Sequence, residues 1–106
     1  MPVLHTRQVQ VVNAEGLHLR PATAIARFVG SRKICVEILR DGLSVDAGSV
    51  LDLITLTASQ GTTLTLQASG DDAGPVLDDL ARFFASGFDG TPGQPAAGPV
   101  RGPGDA

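Results

Sequence analysis

The sequence predicts an α+β fold, an antiparallel sheet covered on one face by helices. Three observations lead there. Short alternating segments, apolar on one side only, recur at residues 6–12 and 62–69. An Asp-Gly pair joins two further β-type runs. Helical periodicity interrupts the strands in the order β-α-β-β-α-β-α, and one-sided alternation is the mark of an antiparallel sheet with one face on the core.

Residues 6–12 alternate, Arg7, Val9 and Val11 against Gln8, Gln10 and Val12, and form the first strand. Residues 13–17 contain Gly16 and read as a loop. Ala22, Ile25, Ala26 and Val29 then fall at i, i+3, i+4 and i+7, one apolar helix face, with Gly30 placed to end the helix. Residues 34–39 are apolar and largely β-branched, a second strand. Asp41-Gly42 supplies hairpin chemistry, and residues 43–46 return as a third. Ser49-Val50-Leu51-Asp52 has the form of a capping box opening a short helix over 49–56. Gln60-Gly61 marks a turn, and residues 62–69 set Leu64, Leu66 and Ala68 against polar neighbours in a fourth strand. Pro75 suits the first turn of a last helix whose face is Leu77, Leu80, Ala81 and Phe84.

At 106 residues the chain has room for one small domain, with 42% apolar residues to build a core. A core of that size leaves little for a deep cleft, so the chemistry is expected on the surface. The folded domain is predicted over residues 1–88. Residues 89–106 are half Gly or Pro and lack aromatics, and are expected to form a disordered tail. A net charge of −3 argues against nucleic acid, and no basic cluster marks a membrane-surface helix. Neither a signal peptide nor a membrane span is indicated, so a soluble cytoplasmic protein is expected. Cys35, the single cysteine, lies in an apolar run and reads as a small buried side chain. His5, His18 and Cys35 lack metal-ligand spacing, so no metal and no cofactor are predicted. Asp71-Asp72 and Asp78-Asp79 read as a loop and a solvated helix face.

The informative stretch is Gly16-Leu17-His18-Leu19-Arg20-Pro21-Ala22, at the start of the first long helix. Pro21 is tolerated in the first turn, where its missing N–H has no intrahelical partner. The neighbouring free amides, including those of one or two residues beyond Arg20, and the helix dipole make an anion site. The Arg20 guanidinium adds forked donors for phosphate oxygens. Such positive surroundings favour a neutral imidazole, which is a competent nucleophile. The product of attack on a phosphoryl donor would carry its negative charge beside the helix start and Arg20. Gly16 permits a tight turn or close backbone approach just before His18. No nucleophilic triad and no phosphate-cradling P-loop accompanies it.

This heptapeptide resembles the active-centre motif of the HPr family of histidine-containing phosphocarriers, G-[LI]-H-x-R-P-A, at every position. Ser49-Val50-Leu51 is similar to the segment around that family's regulatory serine, and Gln60-Gly61-Thr62 to its turn before the fourth strand. The resemblance spans residues 5–86. It implies an open-faced β-sandwich, four antiparallel strands under three helices, making residues 1–88 an HPr-like phosphocarrier domain. It implies phosphorylation of His18 on the ring nitrogen nearer the backbone, with Arg20 assisting. The donor would be Enzyme I, charged by phosphoenolpyruvate, and the acceptors IIA domains of the phosphotransferase system serving sugar transport. The chain would then be a substrate of phosphotransferases, acting as a monomer, and not itself an enzyme. Carried onto this sequence, the partner-binding patch is Leu19, Thr23, Val50, Leu51 and Ile54. Ser49 stands where an HPr kinase/phosphorylase acts in many relatives. Gly48 and Asp52 depart from the usual neighbours there, and Asp52 would oppose a phosphate by like charge. The alternative is a regulatory module that signals through the phosphorylation state of His18 and Ser49 without sugar transport.

Overall fold

The computed structural model describes residues 3–93. Four strands, β1 (Leu4–Gln10), β2 (Val36–Arg40), β3 (Leu43–Asp46) and β4 (Thr63–Ser69), form one antiparallel sheet in the order β1-β4-β2-β3. Three helices, α1 (Leu19–Arg32), α2 (Val50–Thr55) and α3 (Ala73–Ala85), cover one face. The sheet is antiparallel throughout although β1 and β4 are far apart in sequence. The crossovers through the helices carry the chain back over the same face each time.

Strand alternation sorts side chains in β1 and β4 as the sequence predicts, and the same alternation holds in β2. Val9 and Val11, Val36 and Ile38, and Leu64, Leu66 and Ala68 are buried, while Gln8, Gln10 and Val12 are exposed. β1 begins two residues earlier and ends two earlier than the alternation alone indicates. Its line continues past Gln10 through paired backbone bonds, Val11 N–H to the Thr62 carbonyl and Gly61 N–H to the Val11 carbonyl. At the hairpin, Asp41 (φ 49°) and Gly42 (φ 86°) both take positive φ, the geometry of a two-residue turn matched to strand twist. β2 starts at Val36 rather than Ile34. With Val36 and Ile38 facing the core, Cys35 and Glu37 share the opposite parity, and Cys35 is exposed, correcting its expected burial.

The helices bury Pro21, Ala22, Ile25, Phe28 and Val29 from α1, Leu53 from α2, and Ala73, Val76, Leu77, Leu80, Phe83 and Phe84 from α3. Arg7 of β1 pairs with Asp78 of α3 at 2.8 Å, so that carboxylate is tied to the sheet edge and not merely solvated. Phe88, just beyond α3, is fully buried with its ring 5.2 and 5.0 Å from those of Phe83 and Phe84. The chain does not leave the domain there. Residues 89–93 lie along α1, where Pro92 is buried and Gly93 passes so close to Phe28 that a Cβ would stand 2.7 Å from its ring. The remainder of the expected tail lies outside the described residues. No described helix is long and apolar enough to cross a membrane.

Candidate functional site

His18 is the N-cap of α1. Its backbone is extended (φ −119°, ψ −169°) and its carbonyl accepts the first helical bond, from Ala22 N–H at 3.0 Å. Its imidazole makes no cap hydrogen bond. Leu19 and Arg20 therefore keep the free first amides of the helix, and Pro21 has none to offer. The free set ends there: Ala22 is already bonded, so it excludes the later amides the sequence reading included. An anion at such an end gains about 0.3–1 kcal/mol from the dipole, and more where partly buried.

The preceding loop is fixed by backbone contacts. Gly16 has φ +73°, and a Cβ on it would lie 2.6 Å from the Ala58 carbonyl oxygen. That same oxygen accepts from Leu17 N–H at 2.9 Å. Asn13 closes the turn twice: its carbonyl accepts from Gly16 N–H at 3.2 Å, and its Nδ2 donates to the Gly16 carbonyl at 3.0 Å. Leu17 is buried, which anchors the residue before the imidazole. The close approach predicted for Gly16 is thus toward the segment entering β4.

The His18 side chain is partly exposed, at 36%. Nε2 lies 3.2 Å from the carboxylate of Glu15, a charge contact and not an aligned hydrogen bond, and Nδ1 has no hydrogen-bond partner among the described residues. The sequence reading surrounded the ring with positive groups only and passed over Glu15. The signal was a carboxylate three residues before the histidine across a glycine turn.

Arg20 is exposed, and its Nη2 donates to the Phe88 carbonyl at 2.6 Å. Its other N–H groups meet no protein acceptor among the described residues. Phe88 holds that carbonyl in place with a left-handed backbone, φ 65°, unusual for a bulky side chain. An open groove of about 760 Å³ runs between the start of α1 and residues 90–92, lined by Leu19, Arg20, Thr23, Arg27, Phe28 and Pro92.

α2 packs beside α1. Leu19 (64%), Leu51 (79%) and Ile54 (38%) are exposed apolar side chains, and Thr23 and Val50 are half-buried. Thr23 donates to the Leu19 carbonyl at 2.8 Å. Ser49 caps α2, its hydroxyl accepting from Asp52 N–H at 3.2 Å. The reciprocal half of the expected capping box differs. Asp52 accepts from Asp46 N–H at 3.2 Å, while Ser49 N–H goes to the Asp46 carbonyl. The described residues contain no group of three or more acidic, His or Cys side chains able to hold a metal.

A helix-covered antiparallel sheet presenting one surface imidazole at a helix start defines a class of small histidine-bearing carrier domains. The family described as PTS HPr component phosphorylation site matches residues 5–86. The phosphocarrier protein HPr of Streptomyces coelicolor is 36% identical over 87 residues, 81% of this chain and 94% of that protein. The phosphocarrier protein NPr of Shewanella violacea is 35% identical over 83 residues, 78% and 91% of the two chains. The crystal structure of HPr from Thermoanaerobacter tengcongensis superposes with a TM-score of 0.74 at 27% identity, covering 79% of this chain and 94% of that one. The chain belongs to the HPr family of the phosphotransferase system.

Proposed function

We propose that this chain is a phosphocarrier that accepts a phosphoryl group on Nδ1 of His18 and hands it to a partner protein, a substrate of phosphotransferases and not itself a turnover enzyme. The observation that carries the reading is His18 at the N-cap of α1, its partly exposed imidazole unused in capping, next to the free first amides of Leu19 and Arg20. Those amides and the unused donors of Arg20 suit the equatorial oxygens of a transferring phosphoryl group, whose loose transition state needs positioning and charge stabilisation above all. The donor is Enzyme I charged by phosphoenolpyruvate, and the acceptors are IIA domains. They dock on the apolar surface of Leu19, Leu51 and Ile54, with Thr23 and Val50 at its base. The chain works as a monomer in the cytoplasm.

Incubation with Enzyme I and phosphoenolpyruvate is expected to give an acid-labile adduct that His18→Ala abolishes. An adduct that survives the substitution, or none with the wild-type chain, overturns the reading. Offering the charged protein a IIA domain then separates sugar transport from the regulatory alternative, because only the acceptor differs. Ser49 is a second candidate for phosphorylation. Its hydroxyl is engaged as the cap of α2 with Asp52 adjacent, so a phosphate there displaces the cap and meets like charge.

A further inference from the structure

We infer that Glu15 is a positioning residue that sets which nitrogen of His18 is free to attack; this rests on the phosphocarrier reading and deepens it. A neutral imidazole carries one proton, on Nδ1 or Nε2, and only the other nitrogen holds a lone pair in the ring plane. The Glu15 carboxylate stands 3.2 Å from Nε2. A negative charge there favours the proton on Nε2 and leaves Nδ1 as the nucleophile. The placement is built into the loop. The positive φ of Gly16, the double closure through Asn13 and the Leu17–Ala58 bond together fix the three-residue step from Glu15 to His18. Arg20, the nearest cation in sequence, directs Nη2 to the Phe88 carbonyl, so the carboxylate is the charge in contact with the ring.

The same charge serves both directions of transfer. In acceptance, the Nδ1 lone pair forms the N–P bond as the bond from phosphorus to the donor's leaving atom breaks, that electron pair departing with the donor. Nε2 keeps its proton, and the ring becomes a cation beside the Glu15 carboxylate. In donation the N–P electron pair returns to Nδ1. Because Nε2 is still protonated, the ring leaves as neutral imidazole and not as the far more basic imidazolate. The unphosphorylated ring is regenerated with its proton on the same nitrogen.

Glu15 is 79% exposed, so its influence is moderated by solvent, and an effect of about threefold in the tautomer ratio is expected. The test is long-range proton–nitrogen NMR of the full chain labelled with nitrogen-15 histidine, above the His18 titration, for wild type, Glu15→Ala and Glu15→Lys. Nδ1 of the wild type is expected to be predominantly unprotonated. The ratio of Nε2–H to Nδ1–H tautomer should fall about threefold in Glu15→Ala and further in Glu15→Lys, since the effect is electrostatic. Phosphoryl acceptance should slow in the same order, with folding unchanged. Populations that ignore the charge at position 15, or a wild type with its proton on Nδ1, overturn the inference. So does unaltered acceptance by a variant whose tautomer has shifted, although the carrier reading then stands. Failure of the carrier reading shows separately, as the lack of any His18 adduct, because the tautomer measurement needs no donor.

Discussion

Gly16→Ala tests whether the His18 loop is held by the approach of two backbones. Two costs combine in the structure. The backbone at Gly16 sits at φ +73°, where an L side chain loses about 1–2 kcal/mol. The new Cβ would also stand 2.6 Å from the Ala58 carbonyl oxygen, so the two segments must separate. That separation weakens the Leu17–Ala58 hydrogen bond at 2.9 Å, worth about 0.5–1.5 kcal/mol net. Together these give a destabilisation of about 2–3 kcal/mol. Gly42→Ala is the control. Its φ is +86°, but no atom lies within 4 Å of the added Cβ, so only the conformational cost of about 1–2 kcal/mol applies. Urea unfolding followed by far-ultraviolet circular dichroism measures both, since the chain has no Trp or Tyr for fluorescence. Phosphoryl acceptance should fall in folded Gly16→Ala and stay intact in Gly42→Ala. Equal losses of stability, or full acceptance by folded Gly16→Ala, would refute the argument that Ala58 positions the loop.

Phe88→Ala removes a fully buried ring packed on Phe83 and Phe84 and should cost about 3–5 kcal/mol in the same unfolding assay. A loss below about 1 kcal/mol would mean that the domain ends before Phe88. Cys35 should react fully with a thiol reagent in the native protein without denaturant, and labelling only on unfolding would return it to the core.

What the sequence made legible was periodic. The buried parity of the first and fourth strands, the α1 and α3 faces and the Asp-Gly turn follow from local side-chain spacing, and all appear in the structure. Cys35 misled because an apolar run was read without its parity. Glu37, two residues on, is charged and shares its side of the strand, and that was the available signal. The Ser49 cap was legible, but the partner of Asp52 was not, because Asp46 reaches it only through the β3–α2 connection. The segment 89–93 carried a composition of disorder. Its contact with α1 follows the burial of Phe88 against Phe83 and Phe84 of α3, and no local pattern encodes that.

The motif that identifies the site covers residues 16–22, yet the structure supports it from two distant parts of the chain and from the residue just before it. Ala58 fixes Gly16 and Leu17, Phe88 holds Arg20, and Glu15 faces Nε2. Two of these contacts are made by backbone carbonyls, which any residue supplies, so they leave no mark in side-chain identity at positions 58 and 88. In the proposed carrier role, a surface nucleophile that meets two partner proteins in turn cannot be enclosed by a pocket of its own. Its orientation has to come from beneath and behind, from the loop closure and the helix start, so that the ring stays open to both. That division explains why the readable motif is short and contiguous while its support is dispersed. It also explains why changing Gly16 should disturb transfer although glycine contributes no chemical group to it.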